Sequence, residues 1–212
     1  MVFNITECVD FHHGKRIVIT ILVCGHDVVI IMHKEGDALL IQQPVYYPFR
    51  EVIEDNGRIF VNNQLHYEDG KYTIDFEDFE KKIVDNNVKV FILCNPHNPV
   101  GRVWTKEELE KMGDICLKHN VVIMDDEIHC DFTYPGFKFT SFMTLDEKYH
   151  NSLVLYTSPS KTFNVAGLQP ANIIIKNPEL RAAYRKANAA AGYSQGSIMG
   201  QVAVKSVYTK GD

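Results

Sequence analysis

The chain has 212 residues, 45% hydrophobic and 23% charged, an ordinary globular balance with room for one large domain and its core. Its formal net charge of −5, with no basic stripe, argues against nucleic acid as a partner, and no apolar run approaches the length of a membrane-spanning helix. The five cysteines (Cys8, Cys24, Cys94, Cys116 and Cys130) are odd in number and form no C-x-x-C pair, so they read mostly as buried thiols; no metal site is expected.

Residues 1–35 stand apart. Their apolar residues cluster without clear periodicity, and His12-His13-Gly14-Lys15-Arg16 breaks any element. The apolar stretch Ile17 to Val23 resembles a short signal core, but His26 and Asp27 follow without a small-residue cleavage site. The chain therefore reads as cytoplasmic.

From Gly36 onward the pattern is regular. Ala38 to Ile41 predicts a buried strand. A loop follows over Pro44 to Pro48, then a short helix over Phe49 to Glu54, stopped by Asn56-Gly57. Arg58 to Leu65 reads as a second strand and Glu68-Asp69-Gly70 as a turn. Asp75 caps a helix whose apolar positions are Phe76, Phe79 and Ile83. Val88 to Cys94 is a strand broken only by Lys89. Thr105-Lys106-Glu107-Glu108 is a capping box, opening a helix with Leu109, Met112 and Cys116 on one face and its end near His119-Asn120. Val121 to Met124, Ser152 to Tyr156 and Ala171 to Ile175 are further strands, and helices are predicted over Pro178 to Ala191 and Ser197 to Tyr208.

Strands alternate with helices, and the strands are continuous apolar runs. That pattern implies an α/β fold with a mostly parallel sheet and helices on both faces. Ligands in such sheets bind beyond the carboxyl ends of the strands. Three chemically active residues, Asn98, Asp126 and Lys161, fall at or just after such ends. An amide, an acid and an amine in this order are the groups needed to hold pyridoxal phosphate: a donor for the ring hydroxyl, a carboxylate for the ring nitrogen and a Schiff-base lysine. Each also has a blander reading, as a Pro-rich loop amide, an acid at a strand end and a solvated surface lysine. Strand alternation puts Asp126 and Ile128 on one face and Glu127 on the other.

The motifs Pro44-Val45-Tyr46, Asn95-Pro96-His97-Asn98-Pro99-Val100-Gly101, Asp126-Glu127-Ile128-His129 and Ser158-Pro159-Ser160-Lys161-Thr162-Phe163-Asn164 resemble those of the fold-type I pyridoxal phosphate enzymes. Within the aminotransferase class I/II superfamily they are most similar to the cystathionine β-lyase (C–S lyase) branch. Each motif alone is weak; together, in this order and spacing, they are specific.

The resemblance implies a role for each matched residue. Lys161 is the cofactor lysine and later moves the substrate Cα proton. Asp126 pairs with the pyridine nitrogen; Asp125 and Glu127 compete for that role, and the motif alignment selects Asp126. Asn98 donates to the ring oxygen. His129, where aminotransferases of the superfamily usually carry Tyr, hydrogen-bonds the same oxygen. Tyr46 stacks on the ring, with Tyr47 beside it as the alternative. Ser158 and Ser160 bind the phosphate.

There are departures. Gln169 stands where many relatives carry a phosphate-pairing Arg, and Thr20 to His26 does not match the family's glycine-containing phosphate turn. Against the family pattern the chain reads as truncated at both ends, with residues 1–35 atypical, 36–212 a partial cofactor-binding large domain, and the small domain absent. No residue matches the arginine that captures the substrate carboxylate. The implied activity is β-elimination on a small sulfur-containing amino acid such as cystathionine, giving thiol, pyruvate and ammonia. An aminotransferase on the same scaffold and a non-catalytic domain are the rival readings. The resemblance also implies a homodimer, to which Tyr184, Tyr193 and Met199 are candidate contributors.

Overall fold

The computed structural model describes residues 35–168, 170–190 and 197–210, and the backbone of 3–6, 19–20 and 29–30. In chain order the elements are β1 (Phe3–Thr6), β2 (Ile19–Thr20), β3 (Val29–Ile30), β4 (Ala38–Ile41), α1 (Pro48–Asp55), β5 (Ile59–Asn62), β6 (His66–Glu68), β7 (Lys71–Thr73) and α2 (Phe76–Asp85). There follow β8 (Val88–Cys94), α3 (Lys106–Lys118), β9 (Val122–Asp126), β10 (Leu153–Thr157), β11 (Pro170–Ile175), α4 (Pro178–Ala190) and α5 (Ile198–Lys210).

Among the described residues the main sheet has the order β1-β11-β10-β9-β8-β4-β5. Its centre is parallel: β4 pairs with β5 and β8, β8 with β9, and β9 with β10. Only β11 runs against its neighbours, antiparallel to both β10 and β1. The expected mostly parallel sheet is present, and β11 is its reversed member. An apolar run buried on both faces carries no information about direction, so the reversal is invisible in the sequence.

Side-chain alternation divides the core into two layers. Leu39, Ile41, Val90, Ile92, Met124, Val154, Tyr156, Ile173 and Ile175 face α1 and α4, packing with Phe49, Ile53 and Tyr184. Ala38, Leu40, Phe91, Leu93, Ile123 and Leu153 face α2 and α3, packing with Phe79, Ile83, Leu109, Met112 and Cys116. Helices thus cover both faces, as the sequence implied.

The caps are as the sequence reads. The Asp75 side chain accepts from the Asp78 amide (2.9 Å). Thr105 accepts from the Glu108 amide (3.2 Å), and Glu108 accepts from the Thr105 amide (2.8 Å). Gly57, at φ +66°, ends α1 in a conformation that a side chain strains.

Three expectations change. The strand expected over Arg58 to Leu65 is only Ile59–Asn62, because Asn63 turns inward to bond the Asp75 carbonyl and the Asp78 carboxylate. The turn at Asp69-Gly70 belongs to a hairpin, β6–β7, that the sequence did not announce. Strand β9 continues through Asp125 and Asp126, past its expected end at Met124. Cys94 and Cys116 are buried, whereas Cys130 is half-buried. Cys8, Cys24, Gln169, Tyr193 and the segment Ile21–His26 lie outside the described residues. No helix among the described residues is long and apolar enough to cross a membrane.

Candidate active site

The carboxyl ends of β8, β9 and β10 lie side by side, and the register aligns Cys94 with Asp126 and Asp126 with Tyr156. Two backbone bonds extend this alignment into the loops. The Asn95 amide donates to the Asp126 carbonyl (3.0 Å), and the Glu127 amide donates to the Tyr156 carbonyl (2.9 Å). The 95–101, 126–129 and 158–164 segments therefore leave the sheet as neighbours, although tens of residues separate them in sequence.

Asp126 lies on the face of Met124 and Ile128, towards α1 and α4, and is 4% exposed. Its Oδ1 accepts from the Ile128 amide (3.1 Å). Burial raises its pKa to about 7, reinforced by the Glu127 charge and opposed by the Ile128 amide and the Lys161 ammonium. His129, half-buried just beyond it, is pushed down by burial first and by Lys161 second. Lys161 thus sits within electrostatic reach of both groups, its side chain exposed at the mouth of the site.

The lysine turn is braced from below. Ser158 and Ser160 are buried. Ser158 Oγ donates to the Pro170 carbonyl, accepts from the Ser160 amide (3.1 Å) and lies 2.9 Å from Ser160 Oγ. The Phe163 amide donates to the Pro159 carbonyl (2.9 Å), and the Val165 amide to the Ser160 carbonyl (3.0 Å). Thr162 Oγ1 donates to Asp131 (2.6 Å), tying the turn to the loop that follows His129.

Tyr46 is half-buried and meets Phe49 edge-on (5.8 Å between centroids), whereas Tyr47 is 71% exposed. Asn98 is half-buried, and its amide donates to Cys94 Sγ (3.3 Å). The structure therefore gathers Asn98, Asp126, His129, Ser158, Ser160 and Lys161 on three adjacent strand ends, with Tyr46 on the loop after β4.

Sequence reasoning weighed Asp125 and Glu127 only as rivals of Asp126. Asp125 and Glu127 are buried behind Asp126 on the opposite face of β9. Glu127 accepts from the Phe142 amide (2.9 Å). No group among the described residues donates to either Asp125 oxygen in good geometry. Burial and the adjacent Glu127 drive its pKa well up. Sequence reasoning gave His97 no role of its own: its ring is buried and bonded to the Pro44 carbonyl.

A doubly wound sheet with a buried acid, an amine and a braced hydroxyl turn at its carboxyl edge defines a cofactor-binding α/β domain. Residues 23–212 match the aminotransferase class I and II family, and the chain belongs to that family. It is 44% identical over 176 residues to cystathionine beta-lyase PatB of Bacillus subtilis, covering 83% of this chain and 46% of that protein. Among the solved structures similar to it are two with the cofactor bound. Cystalysin from Treponema denticola, which contains a pyridoxal 5′-phosphate cofactor, superposes with a TM-score of 0.81 at 43% identity (84% of this chain, 45% of that one). The PLP-bound C–S lyase from Staphylococcus hominis does so with a TM-score of 0.76 at 35% identity (85% and 45%). The chain spans about half the length of the curated relatives it matches.

Proposed function

We propose that this chain carries the pyridoxal 5′-phosphate site of a C–S lyase, with residues 36–212 as its cofactor-binding domain. The observation that carries this reading is Asp126: a buried carboxylate at the carboxyl edge of a parallel sheet, with Lys161 as its nearby cation. A buried carboxylate is costly unless it is paired, and a protonated ring nitrogen is the partner that this geometry suits. The remaining donors fit the same group. Tyr46 offers an aromatic face, Asn98 and His129 offer donors to a ring oxygen, and the Ser158–Ser160 turn offers hydroxyl and amide groups to a phosphate.

Bound there, pyridoxal phosphate would supply the electron sink that lets an amino acid lose its Cα proton and then its β-thiolate. Lys161 would be the residue that holds the cofactor, and its amine is the group that would move the Cα proton. Asp126 would supply the negative charge that a protonated ring nitrogen pairs with. The apolar layer of Met124, Ile128 and Tyr156 excludes water from that carboxylate and strengthens the pairing. The substrate class is a small cysteine S-conjugate such as cystathionine, which with water yields thiol, pyruvate and ammonia. The protein works as a homodimer in the cytoplasm. The exposed Ile198, Met199 and Val202 of α5 support the dimer, whereas Tyr184 is buried within its own chain.

The test is pyruvate release from L-cystathionine by the purified chain with added pyridoxal phosphate and no keto acid. Pyruvate formed under these conditions, and lost in Lys161→Ala, is the expected result. Turnover that requires a keto-acid acceptor would replace the lyase with an aminotransferase. Cofactor binding with no turnover of either kind would make the chain a non-catalytic domain.

A further inference from the structure

Strands β4 and β8 flank the point where the sheet changes direction of growth. From β4 the chain adds β5 on one side, then returns to lay β8 on the other. Open α/β sheets bind ligands in the crevice at such a switch point. The two loops leaving it are 42–47, which carries Tyr46, and 95–101, which carries Asn98. One side chain spans them: His97 Nε2 lies 3.0 Å from the Pro44 carbonyl.

The chemistry of that contact assigns the proton. A carbonyl only accepts, so Nε2 carries the hydrogen. Nδ1 is buried and makes no hydrogen bond in good geometry among the described residues. Burial lowers the pKa of the ring to about 4; the Pro44 and Cys94 carbonyls oppose this and the Arg102 charge adds to it. The ring itself is clamped. It is 2% exposed and stands edge-on to Trp104 (5.3 Å, 86°), whose Nε1 donates to the Cys94 carbonyl (3.0 Å). The His97 amide donates to the Arg102 carbonyl (2.8 Å) and its carbonyl accepts from Gly101 (2.8 Å), so the residue also closes its own turn.

We propose that His97 is a positioning residue: an imidazole that carries its hydrogen on Nε2 and locks the Asn98 turn to the Tyr46 loop across the switch point. The two sides of the site then move as one body. What the loops hold rests on the cofactor reading above; the link between them does not.

Two variants separate this role from simple core filling. His97→Gln keeps an N–H donor within reach of Pro44. His97→Phe keeps the ring but removes the donor. Amide hydrogen exchange of the cofactor-free protein is read at residues 43–47 and 95–101, and pyridoxal phosphate is titrated into each protein. In His97→Phe, exchange should quicken in both loops together by about five- to ten-fold, with a similar rise in the cofactor dissociation constant. His97→Gln should restore most of both. Wild-type exchange in either loop of the Phe variant, or a Gln variant no better than Phe, overturns the proposal. If the wild type does not bind pyridoxal phosphate, the functional reading falls and the exchange data still decide the role of His97. Should neither variant fold, a long-range ¹H–¹⁵N spectrum of the wild type at pH 7 decides: an Nε2–H tautomer supports the lock, and an Nδ1–H tautomer or an imidazolium overturns it.

Discussion

Replacing Asp126 with Asn should make the cofactor-free protein more stable above neutral pH while weakening its hold on pyridoxal phosphate. The side chain is 4% exposed, and burial is the largest cause of its raised pKa, from an ordinary 3.8 to about 7. Between those values the native state holds a proton that the unfolded chain has released. Wild-type stability therefore falls as pH rises through this window, and is fully present only below about pH 4. A difference of about three pH units, at about 1.4 kcal/mol each, gives a cost of about 4 kcal/mol at pH 8. Asn keeps an oxygen for the Ile128 amide and carries no charge, so it removes that cost. Asp125 and Glu127, which are raised in the same direction, are present in both proteins and largely cancel. Urea unfolding of both proteins at pH 4.5 and pH 8 measures the difference. The variant should exceed the wild type by only about 1 kcal/mol at pH 4.5 and by up to about 4 kcal/mol at pH 8, the latter roughly 10 °C in midpoint. Equal stability at pH 8, or a gap as wide at pH 4.5, would refute the burial argument.

Three further outcomes follow from packing and capping. A methyl group added at Gly113 on α3 would lie 2.6 Å from Tyr149 Cε1 and 3.0 Å from Phe142 Cζ. Gly113→Ala should therefore lower the thermal midpoint, because overpacking of about 1–3 kcal/mol outweighs about 1 kcal/mol of helix propensity. Thr105→Ala removes the cap of α3 and should cost about 1 kcal/mol in chemical denaturation, with Thr105→Ser close to wild type. Thr162→Val breaks the bond to Asp131 and should leave the midpoint within about 1 kcal/mol of wild type. Its effect should appear as faster proteolysis within the 161–164 turn; an unchanged cleavage rate there would count against that brace.

The parts of the fold that rest on continuous burial or on local hydrogen bonding were legible. Val88–Cys94 is an uninterrupted apolar run and is the observed β8 to the residue; the Thr105 and Asp75 caps are local side-chain chemistry and appear as read. The hairpin β6–β7 was not legible, because its short strands are largely exposed and polar. Nor was the end of β9, where Asp125 and Asp126 resemble a loop yet pair in register with Leu155 and Tyr156. The site was legible as a set of motifs, since Asn98, Asp126 and Lys161 each lie at or just after the end of a strand. The groups that brace it were not. His97 is one imidazole among prolines until Pro44 comes within 3.0 Å of it from a loop 53 residues away. Asp125 is one acid of three until the strand's alternation turns it to the face opposite Asp126. A long-range contact defines the role of His97, and local sequence holds no trace of it.

The central claim, that Lys161 and Asp126 form a pyridoxal phosphate site, is tested most directly by an absorbance spectrum. The purified chain and its Lys161→Ala variant are each mixed with the cofactor and freed of excess by gel filtration. The account requires a visible absorbance band that stays with the wild-type protein, vanishes on borohydride reduction and is absent from the variant. A folded wild-type protein that retains no band, or a variant that retains the same one, would contradict it.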